Sequence, residues 1–197
     1  MLTFALAVFL LLITPGPGVL STAGVGAAYG MNAGFRYLIG LFIGTNLVAI
    51  AVVSGLSALL LANPVVRTVL LVLSAAYLLY LAFRIAFAGA KISFIEAKKQ
   101  PGLISGVLLQ IINPKAYAVN TTLFTGFAFM PGSMMGETII KFVVINAIWI
   151  PIHILWLWAG SSLRKLDLAP HIQFRINILM ALAMLGVVVL AALYSAR

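Results

Sequence analysis

Ile13-Thr14-Pro15-Gly16-Pro17-Gly18 and Ile112-Asn113-Pro114-Lys115-Ala116 each interrupt an otherwise apolar stretch of hydrocarbon length. Proline removes a backbone donor and clashes with the preceding helical turn. Lipid offers nothing to the groups that such a break frees, so interrupted backbone must be buried in protein or face water. The two breaks lie about a hundred residues apart, one in each half of the chain.

The surrounding composition places them in a membrane. Of 197 residues, 64% are hydrophobic and only 8% charged, against roughly a quarter charged in soluble domains. The net charge of +9 comes from 12 basic and 3 acidic residues. The basic residues sit in gaps between apolar runs, so they read as membrane-flanking positive charge rather than a nucleic-acid surface. With no cysteine and only scattered histidines and acids, the expectation is no metal site and no cofactor. The N-terminus is apolar from Leu2 without a basic n-region, so it reads as a retained first span rather than a cleaved signal peptide.

Hydropathy predicts six spans. They cover residues 2–28 (broken near Pro15 and Pro17), 37–62, 65–87, 103–130 (broken at Asn113-Pro114-Lys115), 138–161 and 175–196. The fold class is therefore all-α integral membrane. Residues 1–90 form one three-helix repeat, 91–102 a connecting cytoplasmic loop and 103–197 a second repeat, in a single membrane domain. Gly26, Gly30 and Gly34, and again Gly40 and Gly44, are spaced four apart. Such stripes admit close helix packing and allow a homodimer. Gly30-Met31-Asn32 reads equally as a loop. Pro151 predicts a kink in the fifth span, Pro131-Gly132-Ser133 a turn, and Glu137 with Lys141 a helix-surface ion pair.

The halves show a weak internal repeat. Ser21 and Thr22 follow the first break, Thr121 and Thr122 the second. Asn46 lies 32 residues after Thr14, and Asn146 lies 33 after Asn113. Three spans per half make the halves inverted. Paired broken helices in inverted repeats point to a substrate site near the midplane of a secondary transporter. Loop charges place Arg36, Arg84, Lys91, Lys98, Lys99, Arg164, Lys165 and Arg175 inside, with Arg67, Lys141 and Arg197 outside. The positive-inside rule then puts both termini in the periplasm.

The chemistry of the breaks suits a zwitterion. A helix restarting after Pro17 turns a positive dipole end toward a carboxylate, and carbonyls freed near Thr14 and Asn113 suit an ammonium. Lysine within a bilayer costs about 2.5–3.5 kcal/mol on insertion scales, so Lys115 should face water, carbonyls or a substrate carboxylate. Thr14, Pro15, Gly16, Pro17, Gly18, Asn46, Asn113, Pro114, Lys115 and Asn146 are the candidate substrate-binding residues. Asn46 and Asn146 could equally bond simply to a partner helix. His153 is a candidate proton relay or a satisfied interhelical bond. The tryptophans are read as interface and packing residues.

Taken together, Thr14-Pro15-Gly16-Pro17, Gly40-x-x-x-Gly44, Ala76-Tyr77-Leu78-Leu79-Tyr80-Leu81 and Asn113-Pro114-Lys115-Ala116 resemble the LysE/RhtB family of amino-acid exporters over nearly the whole chain. The resemblance implies proton-driven export of amino acids or related small zwitterions across a bacterial inner membrane. Two positions depart from it: Gly18 stands where asparagine is common, and Asn46 is the polar residue nearest to where an acid is common. The alternative reading is a non-transporting membrane-embedded binding or structural subunit. An enzyme is disfavoured, because no HExxH, Ser/His/Asp grouping or mid-span acid is present.

Overall fold

The computed structural model describes residues 1–86, 100–166, 169, 171–172, 174–179, 181–183 and 186. The expected connecting loop up to residue 99, with Lys91, Glu96, Lys98 and Lys99, lies outside these residues. So do Asp167, Arg197 and much of the sixth span.

Helices account for the described chain: α1 (Leu2–Ile13), α2 (Pro17–Tyr29), α3 (Met31–Val53), α4 (Leu56–Ala62), α5 (Pro64–Ala86), α6 (Leu103–Ile112), α7 (Pro114–Thr125) and α8 (Met134–Lys165). Both breaks appear where proline placed them. Pro17 and Pro114 each open the helix that follows, the one position where a missing N–H costs nothing. The α1–α2 pair bends by 50°. Among the described residues, three helices, α3, α5 and α8, are long and apolar enough to cross a membrane, and the bent α1–α2 pair makes a fourth candidate. The shorter apolar helix α6 meets α7 at the second break.

Three boundaries differ from expectation. The second span does not run to residue 62. It stops at Val53, because Gly55 takes a left-handed conformation (φ +77°) and starts the separate α4. No loop precedes α3 either. Gly30 alone (φ +84°) turns the chain from α2 into α3, a conformation open to glycine, so Arg36 lies on the helix. Finally, α8 is one element of 32 residues that continues through Pro151, with Ser133 capping its first turn by accepting from the Gly136 N–H at 3.2 Å. At 1.5 Å per residue it is about 48 Å long, well beyond a hydrocarbon core of about 30 Å.

The breaks divide the bundle into two sides. On the α2 side, α2 packs on the C-terminal half of α8, and the N-terminal half of α3 packs on α6. Glycine makes these contacts backbone to backbone. A Cβ on Gly40 would overlap the Leu103 carbonyl, one on Gly106 the Tyr37 carbonyl, and one on Gly160 the Ala23 carbonyl. Gly26 meets the Leu157 carbonyl in the same way, whereas Gly34 makes room for the Leu157 side chain. On the α1 side, α1, α7 and the start of α8 meet through side chains: Phe4, Val8, Leu123 and Ile145 are buried together. Glu137 and Lys141 do pair, at 2.8 Å, but Lys141 is buried rather than on a helix surface. The turn after α7 folds over it, a tertiary event that spacing along one helix does not show.

Replacing Gly40 or Gly160 by alanine should lower the detergent melting temperature. Overpacking costs about 1–3 kcal/mol, which outweighs the roughly 1 kcal/mol gain in helix propensity. Gly132→Ala, whose Cβ meets nothing within 4 Å, should melt like the unaltered chain. Equal melting of all three variants would refute the glycine contacts.

Candidate functional site

Lys115 joins the two breaks. Its Nζ donates to the Thr14 carbonyl at 2.8 Å, across 101 residues of sequence. Thr14 ends α1, its N–H and Oγ1 both bonding the Leu10 carbonyl. Its own carbonyl would otherwise have no partner within the helix. At the second break, Asn113 caps α7: its Oδ1 accepts from the Lys115 N–H at 3.1 Å, and its Nδ2 donates to Gln110 Oε1 at 3.0 Å.

The two restarting helices are treated differently. The first turn of α7 has the Asn113 side chain as its cap, whereas α2 begins after Gly16 with no side-chain cap. Its leading N–H groups therefore stay available to an anion. Glycine at position 16 keeps that helix end open to Lys115, since a Cβ there would lie 2.9 Å from Nζ.

A cavity of about 60 Å³ lies at this junction, room for a few waters at about 10–15 Å³ each. Thr14, Gly16, Gly18, Thr45, Gln110, Asn113, Lys115, Asn120 and His153 form its polar part, beside Trp149. Leu11, Leu12, Val119, Leu123 and Ile145 form an apolar part toward the α1 side. Among the described residues, no carboxylate is in the wall. His153 is buried and stacked on Trp149, with ring centroids 3.6 Å apart. Its Nδ1 bonds the Trp149 carbonyl at 2.9 Å. A carbonyl only accepts, so Nδ1 carries the proton and Nε2 presents a lone pair in the neutral ring. A Cβ on Gly18 would stand 3.5 Å from that Nε2 and 3.7 Å from Gln110 Nε2. The space that a side chain at position 18 would fill is thus lined by these two polar groups.

The other expected residues fall elsewhere. Asn46 and Asn146 bond to each other reciprocally, at 3.1 and 2.9 Å. Each also donates to the carbonyl one turn back, Phe42 and Phe142. They join α3 to α8 and do not line the cavity. Pro15 is exposed, and Pro17 is buried outside the cavity wall. Pro114 borders a larger groove of about 710 Å³ between α7 and the α4–α5 corner. That groove is lined by the exposed Arg67, Thr68, Thr121 and Thr122 and lies on the outer flank. The two hydroxyl pairs are therefore not equivalent: Ser21 and Thr22 are buried and donate to the Gly18 carbonyl. Sequence reasoning missed Gln110 and Trp149 as wall residues. A glutamine three positions before Asn113, inside an apolar run, was the available signal.

A polar cavity between broken helices in an apolar helical chain is the architecture of a multi-pass membrane translocator, not of an enzyme. The chain belongs to the LysE type translocator family, whose family model matches residues 9–195. It is 26% identical over 141 residues to a leucine efflux protein of Enterobacter sp. (strain 638), covering 69% of this chain and 67% of that protein. It is 27% identical over 131 residues to a leucine efflux protein of Klebsiella pneumoniae, covering 64% of this chain and 62% of that protein. An uncharacterized membrane protein of Bacillus subtilis, YrhP, is 26% identical over 144 residues, covering 66% and 69%. The matched regions thus span about two thirds of each relative. No solved structure matches the chain.

Coupling between Asn46 and Asn146 should appear in a double-mutant cycle. With alanine at each position, the interaction energy should be about 0.6–1.7 kcal/mol, the range of interhelical polar pairs in membranes. Unfolding in detergent measures it, and strict additivity would contradict the reciprocal pair.

Proposed function

We propose that the protein exports a neutral aliphatic amino acid, leucine or a close analogue, from the cytoplasm across a bacterial inner membrane. The carrying observation is the Lys115–Thr14 bond beside the uncapped start of α2. Both the ammonium and the helix end attract a carboxylate, and they converge at Gly16. The substrate's carboxylate takes Lys115 from the Thr14 carbonyl, leaving that carbonyl for the substrate's ammonium. Leu11, Leu12, Val119, Leu123 and Ile145 then receive an aliphatic side chain. A cationic side chain would meet Lys115 and no acid, which disfavours lysine and arginine as cargo. The names of the two leucine efflux relatives agree with this wall.

Two inverted three-helix halves working by alternating access account for the cross-half contacts. Thr14 meets Lys115, and Asn46 meets Asn146, in each case about a hundred residues apart. Arg36, Arg84 and Arg164 support cytoplasmic placement of the α2 side and periplasmic termini. Tyr29 bonds the Arg84 carbonyl and Arg164 bonds the Ala28 carbonyl, so these two arginines gather at the end of α2, and Arg36 follows on the first turns of α3. Proton coupling is assigned to His153, whose free Nε2 faces the Gly18 side of the cavity.

Loaded proteoliposomes should release labelled leucine. Lys115→Met should cut release about ten- to a hundredfold, the loss expected when a charge-assisted hydrogen bond is removed. Leucine should raise the melting temperature of the unaltered protein and lysine should not. Unchanged release by Lys115→Met would overturn the site assignment.

A further inference from the structure

The cavity is closed differently toward its two ends. Toward the α2 side, helices meet backbone to backbone through Gly26, Gly40, Gly106 and Gly160. Toward the α1 side, closure is by side chains. Leu11, Val119, Leu123 and Ile145 line the cavity and also belong to the cluster around Phe4. Above them sits the turn between α7 and α8, residues 126–133. Phe127 and Phe129 of that turn each place a ring centroid 5.6 Å from that of Phe4.

A polar strap holds the turn down. Glu137 Oε2 accepts from the Phe129 N–H at 2.9 Å and the Met130 N–H at 2.6 Å. Its Oε1 meets Lys141 Nζ at 2.8 Å, and the same Nζ donates to the Phe124 carbonyl at 2.8 Å. The ammonium also lies 6.0 Å from the Phe4 ring and 5.7 Å from the Phe129 ring. One ion pair thereby fixes the end of α7, the turn and α1 together. The strap grips backbone groups of the turn, so the turn moves as a unit once Glu137 lets go.

We propose that this turn, strapped by Glu137 and Lys141 and seated on Phe4 through Phe127 and Phe129, is the gate of the cavity on the face opposite the glycine-packed one. The inference rests on the transport reading for its purpose but not for its labelling test. Opening this face breaks a few side-chain contacts, whereas opening the other requires whole helices to separate. Glu137 and Lys141 are gating residues that touch no substrate.

The chain has no cysteine, so a single Leu123→Cys reporter, at a position fully buried beneath Phe4, reads the gate directly. With an impermeant thiol reagent it should label slowly. Adding Glu137→Gln should speed labelling about tenfold, as expected on loss of a charge-assisted hydrogen bond. Phe129→Ala should do the same with the strap left in place, which guards against a misfolded Glu137 variant. Melting curves identify a folded variant. A folded Glu137→Gln or Phe129→Ala protein that labels at the unaltered rate overturns the gate. A Phe4→Cys/Phe129→Cys pair joined by a short thiol cross-linker should stop leucine release, and cleaving the linker should restore it; continued release while linked also overturns the gate. If the unaltered protein releases no leucine yet Leu123→Cys labelling responds as stated, the transport reading fails and the gate stands.

Discussion

Backbone that breaks inside a membrane has to find its partners within the protein, and here the second half supplies the partner for the first break. The carbonyl left at the end of α1 is met by a lysine from the second half. The donor at the start of α7 is met by the asparagine that precedes it. Neither interruption is a flaw in a helix; the first is completed from across the molecule and the second by its own cap. That dependence draws the two breaks together, and a cavity follows at their meeting point, because restarted helices cannot pack as tightly as continuous ones.

The parts legible in the sequence were those carried by residues with strong local rules. Proline fixes where a helix stops and restarts, so both breaks and the start of α5 at Pro64 were visible. Asparagine in an apolar run is conspicuous, and the matching offsets of Asn46 and Asn146 anticipated that they share an environment. Harder to see was everything that depends on rotation about a helix axis or on what covers a residue. Thr121 and Thr122 follow their break much as Ser21 and Thr22 follow theirs, yet one pair faces outward and the other inward. Gly55 ends a helix with a positive φ, while Gly40 and Gly44, equally plain glycines, sit inside one against α6. Composition does not distinguish these uses. Trp149 resembled an interface anchor but stacks on His153 at the cavity wall, because α8 is long enough to carry its middle deep into the bundle.

The two sides of the bundle use different physics. Glycine removes side chains from the interface, so helices approach until backbones touch. Parting them breaks dispersion attraction along the whole seam at once, which makes that side stiff. Phenylalanines fill space with few rotamers and separate from one another without moving helix axes. A transporter needs one face to yield before the other. In the proposed gate, glycine zips the face that holds and aromatics plug the face that yields.

The contrast between the two cross-linking lysines carries the same logic to the level of charge. Lys141 is buried, but Glu137 neutralises it and the Phe124 carbonyl occupies a second of its donors. An ion so supplied has no further need, and its role is to hold structure. Lys115 has one carbonyl partner and, among the described residues, no carboxylate in the cavity wall. Desolvating an ammonium costs several kcal/mol unless an anion compensates it. The protein has left that compensation unmade at a point where a helix N-terminus also stands uncapped. A site with its cationic half built and its anionic half missing is complementary to a molecule that brings a carboxylate with it.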